Sequence, residues 1–223
     1  MSSTIVRKKY RSENAARTYG ESWEKSLSAR FRHWLYKFKL HRAIHEWVRG
    51  KAFIDIPSGN GRLVALAQSM GPRLHVGADL SFEMLRVARE NGLKNVVQCD
   101  VLHLPFKDNT FDVSVCARFL HHFEDDERQE AVKEILRISR VSVLFYDTVY
   151  AVKQISRIVR SKLGMKVKKI SGISLGRIQR DLDYADRVQL GRWWVFPVIS
   201  AQLGVVAGPA ELKRSGRSGR SAP

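Results

Sequence analysis

The chain has 223 residues, 39 Lys and Arg against 22 Asp and Glu, two cysteines and 44% hydrophobic residues. That length fits one ordinary domain with short additions, and the ordinary apolar and charged fractions exclude wholesale disorder. Cys99 and Cys116 cannot make a disulfide framework, no Cys/His group has zinc-finger spacing, and no run approaches the roughly 18 apolar residues of a membrane span.

Two cysteines suit a reducing, cytoplasmic setting. The opening MSSTIVRKKYRSENAARTYG is polar and lacks the apolar core of a secretory leader. The net charge of +17 is the unusual feature. It is uneven: residues 1–50 carry +8, residues 51–150 carry −2 and residues 151–223 carry +11. Basic flanks around a near-neutral centre favour anionic partners.

Residues 1–20 read as a loose lead-in. Residues 24–49 predict a helix, with Phe31, Trp34, Leu35 and Phe38 at helical spacing, Ile44, Trp47 and Val48 continuing the apolar pattern, and Gly50 as its stop. His41 and His45 lie four apart in HRAIH, without the Glu that a zincin pattern requires, so no metal site is expected. Phe53 to Ile56 is a short apolar strand ending in the turn sequence PSGNG. A helix follows over 61–70, with Leu63, Leu66, Ala67 and Met70 on one side. Leu74 to Leu80 is a second strand. Ser81 caps a helix to Asn91, closed by Gly92. Val96 to Cys99 and Phe111 to Cys116 are the third and fourth strands. A helix over 126–139 leads to a fifth strand, Val141 to Tyr146.

This alternation predicts right-handed βαβ units and a doubly wound, mostly parallel, Rossmann-like α/β sheet with helices on both faces. Beyond Tyr150 the pattern changes. Residues 151–163 form a basic amphipathic stretch, followed by Lys166, Lys168 and Lys169. Residues 174–185 read as a helix, and Val188 to Ile199, with Trp193 and Trp194, as strand with a turn or bulge. The expected organisation is therefore a basic helical extension over 1–50, a domain over 51–200 with a basic insert at 151–187, and a disordered tail over 201–223.

In such sheets ligands bind beyond the carboxyl ends of the strands, at the switch point. Four segments fall there. Asp55-Ile56-Pro57-Ser58-Gly59-Asn60-Gly61-Arg62 ends a strand in an acid and then turns tightly; its glycines let a ligand approach the backbone. Asp79 ends the second strand, where one carboxylate can accept both hydroxyls of a ribose. Asp100 follows the third, where it can accept a donor from an exocyclic amine. Arg118-Phe119-Leu120-His121-His122-Phe123 follows the fourth. An ordered series on one edge points to a nucleoside-bearing cofactor.

With those residues in view, the stretch from Phe53 to about Ser139 resembles class I S-adenosylmethionine (SAM)-dependent methyltransferases, in the small-molecule group of the ubiquinone and menaquinone C-methyltransferases. VGADLSFEMLRVAREN resembles that family's ribose-binding strand and helix, and VVQCDVLHLPFKDNTFDVSVCARFLHHF its third and fourth strands. The resemblance implies SAM as cofactor. It implies that Asp55, Gly59 and Gly61 line the methionine end and that Asp79 holds the ribose. Leu80 and Met84 would lie near the adenine, Asp100 and Val101 would meet its edge, and Arg118 would sit near the methionine moiety. One departure stands out: the family usually reads D-x-G-x-G-x-G, and Pro57 replaces the first glycine.

His121 and His122 are the candidate general bases, since imidazole titrates near neutrality. The basic flanks suggest a small-molecule or lipid-linked, anionic acceptor, with the 151–169 stretch against an anionic membrane surface. An RNA acceptor, with Trp23, Trp34, Trp193 and Trp194 stacking on bases, is the second expectation. A third is an inactive, methyltransferase-like partner protein, if Pro57 has ended catalysis.

Overall fold

The computed structural model describes residues 13–19, 27–147, 175–183, 187–195 and 200–208. The basic stretch at 151–169, with Lys166, Lys168 and Lys169, lies outside the described residues, as do Trp23 and residues 209–223.

Seven strands form one sheet: β1 (Ala52–Asp55), β2 (Leu74–Asp79), β3 (Asn95–Gln98), β4 (Phe111–Ala117), β5 (Ser139–Asp147), β6 (Arg187–Val195) and β7 (Ser200–Gly208). Their order is β3-β2-β1-β4-β5-β7-β6. The first five run parallel, and β7 is antiparallel to both of its neighbours. After β3 the chain crosses to the far side of β1 to begin β4. The switch point is therefore between β1 and β4.

The central strands β1 and β4 bury side chains on both faces, and successive side chains serve opposite layers. Phe53, Val113, Val115, Val141, Val143 and Phe145 pack one way, against Leu40, Ile44 and Val48 of helix α2 (Leu27–Val48) and Ala67 and Met70 of helix α3 (Val64–Met70). Ile54, Cys116 and Leu144 pack the other way, against Ala131, Val132 and Ile135 of helix α5 (Asp125–Arg137) and Ile178 of helix α6 (Leu175–Asp181). Helix α4 (Phe82–Glu90) is capped by Ser81, whose hydroxyl accepts the Met84 N–H. A short helix α1 (Glu13–Thr18) lies on α4, with Ala16 buried against Met84 and Val87.

Two polar groupings are sealed within the core. Arg128 is buried and paired with Asp181 at 2.7 Å and Asp125 at 2.8 Å, fastening α5 to α6. The hydroxyls of Ser114, Ser139 and Ser142 lie 2.7–2.9 Å apart and satisfy one another.

One expectation needs correction. Residues 201–208 are not tail: they form most of β7, which pairs with β5 from Ser142–Ala207 to Asp147–Gln202. Strand pairing settles this, and LGVVAG carries too many glycines to announce a strand by composition. Helix α2 shows a choice of face that its apolar pattern alone did not make. Leu40, Ile44 and Val48 are its buried positions, while Phe31, Trp34 and Phe38 face outward. Both sets recur at helical period, so periodicity alone could not say which one meets the sheet. Helix α2 ends at Val48, and Gly50 follows in the left-handed region at φ +68°, as its stop position predicts.

Candidate active site

The sheet gathers three carboxylates on one edge. Asp55 is the last residue of β1, Asp79 the last of β2, and Asp100 stands two residues beyond β3. These are adjacent parallel strands, in register at Asp55–Gly77 and Asp79–Gln98, so the residues beyond them share one rim.

The turn after β1 is closed by the backbone. The Ile56 N–H donates to Val115 O, Ser58 N–H to Ala78 O, and Gly61 N–H to Ser58 O. Gly59 and Gly61 take φ of +54° and +82°, which L side chains adopt only with strain. At Gly61 space also forbids a side chain, because a Cβ would stand 3.0 Å from the Ala88 Cα. Pro57 occupies a position with no positive φ, so its ring does not break the turn.

Asp79 binds that turn to the next element. One carboxylate oxygen accepts the Gly59 N–H at 2.9 Å and the other the Ser81 N–H at 2.8 Å. A carboxylate offers about four lone-pair sites, so capacity remains for ligand hydroxyls. Burial pushes the Asp79 carboxyl up, and the N–H bonds from Ser81, Gly59 and Leu80 oppose that rise.

Asp55 is buried, and burial pushes its carboxyl up to about 8; nearby Arg62 lowers it and Asp79 raises it. Its Oδ1 has no hydrogen-bond partner, and neither do the buried Ser58 Oγ and Asn60 Oδ1. Three unmatched acceptors around one turn suit a ligand that brings positive charge and N–H donors. The sulfonium and ammonium of SAM meet that description.

The other expected residues are placed as follows. Asp100 is half-buried and accepts the Leu102 N–H. The Val101 side chain is in the core, so its backbone is the part left to meet a ligand. Leu80 is partly exposed at the end of β2. Met84 is buried under α1 with Ala16 and Val87, and does not present an open surface. Arg118 follows β4 with φ +62°, a conformation costing a non-glycine residue about 1–3 kcal/mol and typical of functional rims. His121 and His122 form a short 3₁₀ turn with Leu120, their rings 4.0 Å apart and both half-buried. Cys116 is buried, which pushes its thiol up and leaves it a core residue rather than a nucleophile.

The sequence reading missed the roles of Asn60 and Tyr19. The Asn60 amide donates to Ala16 O at 3.2 Å and Tyr19 O at 2.9 Å, pinning the end of α1 over the turn. The Asn91 amide in turn donates to Asn60 O. Tyr19 lies beneath the Arg62 guanidinium at 5.6 Å, and its ring is 3.8 Å from where a Cβ on Gly59 would stand. An Asn between two turn glycines was the only available signal. The anchoring of the loop after β3 was also missed: Arg137 donates to the carbonyls of Phe106 and Leu104, and Glu134 accepts the Leu104 N–H.

A mostly parallel sheet with this strand order carries a glycine turn after β1 and acids at the ends of β1 and β2 and beyond β3. Residues 54–146, about two fifths of the chain, match the family described as methyltransferase domain. Magnesium protoporphyrin IX methyltransferase from Synechocystis PCC 6803, solved with bound SAH, has the same fold. It gives a TM-score of 0.68 and covers 92% of this chain and 99% of its own at 19% identity. Demethylmenaquinone methyltransferase of Thermobifida fusca is 36% identical over 98 residues, 41% of this chain and 40% of that protein. The tRNA (carboxymethyluridine(34)-5-O)-methyltransferase of Arabidopsis thaliana is 25% identical over 128 residues, 57% of this chain and 30% of that protein. Among the tRNA methyltransferases it matches, the chain covers between 20% and 37% of their length. Among the described residues no helix is long and apolar enough to cross a membrane, and no group of three His, Cys, Asp or Glu could hold a metal ion.

Proposed function

We propose that this chain transfers a methyl group from SAM to a small-molecule or lipid-linked, anionic acceptor. The observation that carries the reading is the shared rim of Asp55, Asp79 and Asp100 around a turn with three unmatched buried acceptors. When bound, SAM supplies a methyl group already activated on a sulfonium. Asp79 would accept the ribose hydroxyls while keeping its bonds to the Gly59 and Ser81 N–H groups. Asp100 and the Val101 backbone would read the adenine edge, with Leu80 against its face. Asp55, Gly59 and Gly61 would line the methionine end, and Arg118 would stand close to it. The protein's share of catalysis is alignment and exclusion of water. His121 or His122 would take a proton where the acceptor is a hydroxyl or an acidic carbon. A basic chain of net +17 favours an anionic acceptor.

The net charge and the tRNA methyltransferases among the relatives favour RNA as a second reading. Methyl-labelled SAM added to a cell extract with the protein decides between them. Label in the lipid or small-molecule fraction supports the first reading, label in RNA the second. Calorimetry with SAM and its demethylated product tests a third case: no binding at millimolar ligand would make the chain a non-catalytic partner.

A further inference from the structure

Helix α2 carries two apolar stripes, and the sheet uses only one. Leu40, Ile44 and Val48 are fully buried, while Leu27, Phe31, Trp34 and Phe38 are 81%, 59%, 57% and 47% exposed. Steps of four, three and four residues keep the exposed set within about 60° of helix circumference. These four are the majority of the exposed large hydrophobic side chains among the described residues; the others are Leu74 at the start of β2, Leu80 just after it and Phe82 at the start of α4. Soluble chains rarely expose a contiguous apolar ridge without a use for it.

We propose that this face of α2 seats the protein on an anionic bilayer surface. The inference goes beyond the acceptor reading above and does not rest on it. Charge is the first argument. Arg30 and Arg42 are exposed and flank the ridge, while the only acid in the helix is Glu46, near its far end. An apolar ridge bordered by cations is the form that immerses in the acyl boundary while the cations meet headgroup phosphates.

The ring geometry is the second argument. Phe31 and Trp34 stack at 5.8 Å between centroids and 28° between planes, Trp34 and Phe38 at 5.7 Å and 16°. The Arg42 guanidinium stands 6.0 Å from the Phe38 ring centre. The three rings form one continuous outer edge, which suits a hydrocarbon boundary.

The test sediments the full chain, without SAM or acceptor, with vesicles of phosphatidylcholine containing about 30 mol% phosphatidylserine. Pure phosphatidylcholine vesicles form the control. The expected result is co-sedimentation with the anionic vesicles only, weakened by salt, and reduced at least tenfold in a Phe31→Ser/Trp34→Ser/Phe38→Ser variant that keeps its circular dichroism. Quenching by brominated lipid should fall on Trp34→Phe in the otherwise intact chain, which decides the matter if the triple variant fails to fold. The proposal is overturned if the wild type does not pellet, if the triple variant pellets undiminished, or if quenching is unaffected by Trp34→Phe. It is likewise overturned if the triple variant turns a dimer into a monomer, or loses RNA retention while vesicle binding stays. Because no cofactor is present, failure here leaves the methyl-transfer reading standing.

Discussion

The turn at Asp55–Gly61 and the outer face of α2 break the same rule in opposite directions. The turn buries a carboxyl, a hydroxyl and an amide oxygen without partners. The helix leaves three aromatic rings in the open. A fold optimised for stability alone would contain neither, and such departures mark the places where a protein meets something else. The contrast also shows what each site needs. The turn offers acceptors to a charged ligand, and the helix offers area to an apolar surface.

A control outside both regions sets the upper end of the scale. Arg128 is as buried as Asp55 but fully paired, so Arg128→Ala leaves Asp181 buried without its guanidinium and should cost about 3–5 kcal/mol in denaturant unfolding. Gly61→Ala should cost about 1–3 kcal/mol, through both its positive φ and the close Ala88 backbone. Asp79→Ala should weaken SAM binding by about tenfold to a hundredfold in calorimetry while the chain still folds. Unchanged affinity in that variant would remove the ribose assignment.

Asp55 gives a prediction with a sign. Its carboxyl is held up to about 8 by burial, so the stability from its neutral form is present below about 4 and is lost as pH rises through about 8. Urea midpoints of the wild type should fall over that window, and Asp55→Asn should flatten the fall. A cationic ligand favours the carboxylate, so SAM affinity should rise with pH towards about 8 and binding should release protons. Calorimetry in buffers of different ionisation enthalpy reads that release. Smallest of all is the stability effect of the α2 triple variant, expected within about 0.5 kcal/mol of the wild type because exposed rings add little to the fold. A loss of several kcal/mol there would mean that the rings are core.

Much of the centre was legible because local signals agree there. Ser81, Gly92 and the apolar runs of β1, β2, β4 and β5 each give one reading, and the sheet follows from their alternation. The three aspartates could be placed on one rim because parallel strands deliver their carboxyl ends to the same edge. Three features were not legible, each depending on distant partners. The glycine-rich β7 is a strand because β5 pairs with it. Asn60 matters through the Ala16 and Tyr19 carbonyls more than 40 positions away. The direction of Phe31, Trp34 and Phe38 depends on which side of α2 the sheet occupies.

The Asn60 contacts have a kinetic consequence. The segment around Ala16 and Tyr19 is fastened to the turn by two side-chain bonds and to α4 by the Arg17–Glu90 pair at 2.8 Å. To uncover the turn, that segment must release these ties along with the Tyr19–Arg62 contact and the packing of Ala16 on Met84 and Val87. Its amide exchange should therefore slow in step with ligand saturation, making residues 13–19 a built-in reporter of occupancy.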